Sequence, residues 1–329
     1  MKIGRIPDTP KQVPIPESFS QPASPTLAAA EIRTLSVQDI AEHPRLVPCI
    51  RQQAATLLSI HAVNPRIASV FATQQRWLMA HIALAHSFKS KSAGTTGGAY
   101  ASNFIDAIVL HRVASRNTAD SFLKEMQKYG YLRNSAAGGD RRIRPLEPTA
   151  ISIESISAWL AAHLTTLDAL DSGDRRAAFL TRPQAIAAIQ PLIAERLLQS
   201  AAIRAPAPAF SLFTWLNEGG IVMDWLMAGL ADISPDGRRI LSTVSSFADL
   251  GERINLSRTH LIRKLRMAEA MGSLGWLGDR GKSAMWVSAD FAREYHNQQS
   301  VKLAIIDSAF HEGLRLGADR RDGDAKSTQ

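Results

Sequence analysis

Two stretches of this chain run in the same register, and that repetition limits the folds open to it. Ser115 begins "SRNTADSFLKEMQKYGYL" and Ser257 begins "SRTHLIRKLRMAEAMG", and a glycine follows each serine by 15 residues, Gly130 and Gly272. Ala119, Leu123 and Met126 hold the same places as Leu261, Leu265 and Ala268. Upstream, "RWLMAHIALA" at 76–85 answers "DWLMAGLADI" at 224–233. Trp77 and Trp225 are 148 apart while the serines are 142 apart, so the first copy carries six extra residues, for which the loop "SFKSKSAGTTGGAY" is the natural place. Two copies of one domain in tandem is the reading this register supports. A chain of 329 residues agrees with two compact units.

The apolar pattern around these stretches is almost wholly helical. In the first copy the spacing predicts helices over 46–62, 66–87, 101–114, 115–129 and 152–170. The last of these sets Ile156, Leu160, Leu164 and Leu167 along one stripe. In the second copy helices are predicted at 182–202, 208–231, 246–254 and 257–271. A closing helix follows over 301–316, built on Leu303, Ile306, Phe310 and Leu314. Between the last two helices of each copy sits a short passage with a Gly-rich tip, "AAGGD" or "GDRGK", read as a hairpin. Helix, short helix, serine-capped helix and hairpin is the order of a winged helix-turn-helix. The expected architecture is therefore mainly α: two winged helix-turn-helix domains, 46–172 and 173–317, with small hairpin wings and a helical bundle joining them. Residues 1–45, rich in Pro, Ser, Thr and Gln, and residues 318–329 read as solvated tails. Lys2, Arg5 and Lys11 give the first tail a second reading, as an arm lying in a nucleic-acid groove.

The serine-led helices have two faces. At 100° per residue Leu265 and Ala268 fall beside Leu261, while Thr259, Arg263 and Arg266 point the opposite way. Ser257 is placed as an N-cap, and Gly272 supplies the left-handed residue that ends the helix. Phe247, Leu250 and Ile254 form the core face of the helix before it. Such a helix can enter a major groove, its outward residues reaching bases and its flanks reaching phosphates. A solvated surface helix carries arginines too, and Glu252 and Glu269 partly balance these. The cap, the glycine stop, the basic hairpin and the duplication together favour nucleic acid.

Charge agrees with an acidic partner: 38 Lys and Arg stand against 30 Asp and Glu, a net +8. No apolar run reaches bilayer length, the N-terminus lacks the apolar core of a signal peptide, and the one cysteine, Cys49, allows no internal disulfide. These features point to a cytoplasmic protein with no membrane partner. The nine histidines form no spaced metal-binding cluster, and His81 and His86 do not share a helix face. "SAGTTGGAY" lacks the lysine of a phosphate loop, and no nucleophile, acid or base is paired by spacing. Neither an enzyme nor a metal or other cofactor is expected.

The first copy resembles the MarR-type winged-helix transcriptional regulators. "SRNTADSFLKEMQKYGYLRNSAAGGDRRIRPLEPT" has their serine-led recognition helix, the glycine before an apolar pair, the wing triplet Asp140-Arg141-Arg142, and Thr149 where the closing helix region begins. The resemblance covers 66–170. The second copy looks like a generic winged helix-turn-helix and lacks that triplet. The resemblance implies double-stranded DNA as partner, with Asn117, Ser121 and Lys124 facing bases and Arg116 and Thr118 at the helix start. It also implies that Arg141 or Arg142 reaches the minor groove, with Arg144 on the same wing. By the same mapping Thr259, Arg263 and Arg266 face bases in the second copy, Arg258 and His260 lie near the helix start, and Arg280 and Lys282 lie on the wing. Arg263 is the candidate for bidentate guanine readout.

Members of that family dimerise through terminal helices, whereas here both halves share a chain. The resemblance then implies an internal pseudo-dimer reading an imperfect palindrome, or a homodimer in which one copy per subunit binds DNA. It further implies a small apolar effector in a cavity between bundle and DNA-binding lobe. Trp77, Trp159, Trp215 and Trp225 are read mainly as core. Cys49 reads as a small hydrophobe, although peroxide-sensing relatives of the family carry a reactive cysteine in that region. Two other functions fit tandem winged helices: a plasmid-type replication initiator, which would bind direct repeats, and a protein-binding scaffold.

Overall fold

The computed structural model describes residues 34–63, 73–92, 100–135, 145–214, 219–233, 237–244 and 258–327. The first wing tip with Arg141, Arg142 and Arg144, the expected helix at 246–254, Ser257, Trp215, and the side chains of Arg258 and His260 lie outside the described residues. The chain is mainly helical with small antiparallel strand pairs. Its elements in order are α1 (Val37–Ala41), α2 (Leu46–Val63), α3 (Gln74–Ser92), α4 (Ala101–Leu110), α5 (Arg116–Lys128), β1 (Leu132–Asn134), β2 (Leu146–Pro148) and α6 (Ala150–Asp171). These are followed by α7 (Arg175–Thr181), α8 (Ile186–Gln199), α9 (Ala201–Arg204), α10 (Pro208–Thr214), α11 (Gly219–Ala228), β3 (Leu230–Ile233), β4 (Arg239–Ser242), α12 (Arg258–Ala270), β5 (Leu274–Trp276), β6 (Met285–Ser288) and α13 (Ala289–Ser327).

The repeated register is visible in the backbone. Gly130 and Gly272 both take left-handed φ, +74° and +69°. Tyr131 N–H donates to Met126 O and Gly130 N–H to Gln127 O, and Ser273 N–H to Ala268 O and Gly272 N–H to Glu269 O repeat that pair of bonds 142 residues on. This is the Schellman arrangement, which satisfies the last carbonyls and turns the chain into the strand that follows. That strand begins at Leu132 in one case and Leu274 in the other. The return strand then closes in the same way, Thr149 N–H on Tyr131 O and Ser288 N–H on Ser273 O. From helix stop to return strand the described parts of the two segments are built alike.

Upstream they differ. Trp77 is the fourth residue of the long α3, while Trp225 lies near the C-terminal end of α11. A single helix is predicted over 208–231. The described residues are helical over α10 and α11, 215–218 lie outside them, and the chain leaves the helix after Ala228 to enter the β3–β4 hairpin, with Gly237 at φ +67°. Strand β4 pairs with β6, giving a four-stranded sheet β3-β4-β6-β5, where the described residues of the first half form the pair β1-β2. Pro235-Asp236-Gly237 carried the turn signal, and β-branched Ile240 and apolar Leu241 the strand.

The fold also starts earlier than its composition suggests. Ser36 caps α1, accepting from Asp39 N–H while the Asp39 carboxylate accepts from Ser36 N–H, a capping box; Ile40 is wholly buried. At the other end α13 stays helical through Ser327, where a separate tail is predicted from 318; "ADRRDGDAKS" contains no proline to stop it.

The main hydrophobic core runs from Ile40 through Leu160, Leu167, Ile193 and Leu226 to Phe310, and so through both halves. Helix α3 packs along α8, α8 along α13, and α2 against α6 and α11. Around α5 a second, smaller cluster holds Phe104, Ile108, Phe122, Leu123 and Met126. The matching face of α12, Leu261, Leu265 and Ala268, belongs instead to the main core.

Where α13 crosses α8 the backbones nearly touch. A Cβ on Gly313 would lie 2.6 Å from Ile189 Cγ1 and 2.9 Å from its Cα. Gly313→Val is expected to cost about 1–3 kcal/mol by wedging the helices apart, measured by urea denaturation. A loss below that range would mean that the crossing can open.

Candidate nucleic-acid interface and internal cavity

The serine-led helices owe their faces to burial. In α5 Ala119, Phe122, Leu123 and Met126 are buried, which leaves Arg116, Asn117, Thr118, Ser121 and Lys124 exposed on one side. Ser115 Oγ caps the start by accepting from Thr118 N–H at 3.2 Å. In α12 Leu261, Leu265 and Ala268 are buried, and Thr259, Arg263 and Arg266 are exposed. Arg280 and Lys282 are exposed on the β5–β6 turn.

The two faces differ in free charge. Arg116 pairs with Asp106 at 2.7 Å and Lys124 with Asp120 at 2.7 Å, so both predicted cations of α5 already have carboxylate partners. Arg280 pairs with Glu269 at 2.6 Å, tying the β5–β6 turn to α12. Arg263, Arg266 and Lys282 make no ion pair among the described residues. Exposed Arg238 and Arg239, on the hairpin absent from the sequence reading, add to the cations of this second lobe, and Arg239 lies over the Trp286 ring at 4.7 Å.

A cavity of about 590 Å³ lies deeper, walled by both halves. Trp77 and Trp159 reach it with His81 edge-on between them, its ring centroid 4.6 Å and 5.1 Å from theirs. These two tryptophans are half-buried wall rather than core. Asp224 of α11 and the α13 residues Tyr295, Gln299 and Lys302 also line it. Sequence reasoning missed this second group. Its signal was the i, i+4, i+7 spacing of Tyr295, Gln299 and Lys302, together with an acid amid the apolar "IVMDWLMA". Cys49 is half-buried against the main core, and burial pushes its thiol up, away from thiolate chemistry. Among the described residues no three acids, histidines or cysteines gather as a metal site, and no helix is long and apolar enough to cross a membrane.

Burial holds three histidines neutral. His81 is pushed down to about 3, His296 to about 4, and His163 well below the ordinary value, the charge of Lys302 adding to the effect on His81 and His163. Unfolded, each takes a proton near pH 6.5, so stability present above that pH is lost as the solution is acidified. Asp224, raised by burial to about 6, opposes this by binding its proton early in the folded state. The histidines outnumber it. His81 alone contributes a loss of about 2 kcal/mol by about pH 5. The melting temperature is therefore expected to fall between pH 7 and 5, and His81→Asn to flatten the profile; a flat profile for the unmodified chain would contradict the neutral histidines.

No family model matches the chain, and comparison with the curated proteins and with the solved structures returns no match.

Proposed function

We propose that this chain is a sequence-specific double-stranded DNA-binding transcriptional regulator. In this reading it is a tandem duplication of a winged helix-turn-helix, and α5 and α12 are its recognition helices. The observation that carries the reading is the shared build of 115–150 and 258–289: a helix with one buried and one polar face, a Schellman stop and a returning hairpin. The exposed Arg263, Arg266 and Lys282 supply phosphate and base contacts on the second half. The two halves act as an internal pseudo-dimer, and because their outward residues differ, the site is an imperfect palindrome. The cavity between the halves gives an effector a place to bias them.

Selection of bound duplexes from random DNA tests this. One enriched inverted repeat, bound with an affinity that falls steeply as salt rises, is the expected result. Enriched direct repeats would favour a replication initiator, and no enriched site at moderate salt would favour a protein-binding scaffold.

A further inference from the structure

The cavity holds two opposite charges that do not meet. Tyr295 Oη–H donates to Asp224 Oδ1 at 2.6 Å, which leaves the other carboxylate oxygen without a hydrogen bond among the described residues. The Lys302 ammonium, seven residues along the same helix face as Tyr295, makes no hydrogen bond or ion pair there either. Asp224 and Lys302 are farther apart than the 4.0 Å of an ion pair, yet each charge supports the other through the cavity. Unpaired charge in an apolar setting is costly, so both groups are set to gain from a partner placed between them.

The aromatic part of the lining is of another kind. His81 is buried between Trp77 and Trp159, held by Gln190 Nε2, which donates to its backbone carbonyl at 2.8 Å and lies 3.4 Å from its Nδ1. Two indole rings in the lining suit an aromatic ligand.

We propose that the cavity binds an aromatic zwitterion of the α-amino-acid type. Its ammonium meets Asp224, its carboxylate meets Lys302, and its ring lies against Trp77, His81 and Trp159. A simple acid of the same size would satisfy Lys302 but set a second negative charge near Asp224. A simple amine would do the reverse beside Lys302. An uncharged hydrocarbon would leave both groups unpaired. The inference goes beyond the DNA-binding reading and does not need it.

Calorimetric titration of the whole chain, without DNA, decides it. The probes are L-tyrosine and L-kynurenine, with tyramine lacking the carboxylate and 3-(4-hydroxyphenyl)propanoate lacking the ammonium. At least one of the two amino acids is expected to bind about tenfold or more tighter than both truncated analogues. Lys302→Met is expected to remove the advantage over tyramine, and Asp224→Asn the advantage over the propanoate. Should either variant fail to fold, the four probes on the unmodified chain still decide the question. Equal binding of the propanoate and the amino acids would overturn the proposal in favour of a plain anion site. Binding of none of the four would overturn it altogether.

Discussion

Asp307→Ala is expected to destabilise the chain by about 3–5 kcal/mol, enough to unfold a marginal protein. Asp307 is wholly buried in α13, accepting from Arg175 Nε at 2.6 Å and from Leu35 N–H at 2.6 Å, with His311 Nε2 at 3.2 Å. The rest of the Arg175 guanidinium grips Asp171 through both nitrogens, at 2.7 and 2.6 Å, while Asp168 accepts from the backbone N–H of Arg175 and Arg176. The cluster thus ties the start of the fold, the junction between its halves and the last helix. Removing Asp307 leaves a buried guanidinium short of a partner, and that loss, rather than the value of the pair itself, sets the magnitude. Urea melts check it. Arg175→Met combined with Asp307→Leu should recover most of the loss. A single-variant cost below about 1 kcal/mol would show that the cluster opens to water. Asp307 and Asp171 both sit below the ordinary carboxylate range, held there by Arg175 together with His311 and backbone N–H groups. Their stabilisation is therefore complete above that range and disappears as pH falls through it.

The second large effect concerns DNA. On the proposed DNA-binding reading, replacing both Arg263 and Arg266 by alanine is expected to weaken binding to the selected duplex about a hundredfold or more, since an arginine that reads a base contributes about 1–3 kcal/mol. Arg116→Ala with Lys124→Ala should cost only severalfold, because Asp106 and Asp120 already hold those cations and their release offsets what a phosphate returns. Fluorescence anisotropy across a salt series reads both the affinity and the slope, which should flatten by about one per lost phosphate contact. Equal losses from the two pairs would sink the asymmetry. No loss from the Arg263–Arg266 pair would sink the recognition-helix assignment of α12.

Features set by neighbouring residues were legible in the chain. The stripe Leu160, Leu164 and Leu167 is wholly buried, as its helical spacing required, and the serine-to-glycine register carries into matching helix stops. Composition misled at the beginning, where the capping box at Ser36 and Asp39 was submerged in Pro-rich sequence. Periodicity misled only at the end of 208–231, where the chain enters strand β3 at Leu230, because an apolar run fits a helix or a strand until a Pro-Asp-Gly turn is given its weight. The candidate DNA face was readable from helix angles alone, but its ion pairs were not, apart from the i,i+4 contact of Asp120 and Lys124. The cavity and the Arg175 cluster were beyond reach. Arg175 and Asp307 are 132 residues apart and Asp224 and Tyr295 are 71 apart, and only tertiary packing joins them.

Both halves share one core within one chain, and this has a consequence for how the protein can vary. In a symmetric pair of identical subunits every substitution is made twice, and dilution pulls the pair apart. Here a substitution in α12 leaves α5 as it was, so the two helices can diverge one at a time while the shared core holds their places. The spacing between them is written into the gene rather than into a subunit equilibrium. It stays the same at a handful of molecules per cell as at thousands.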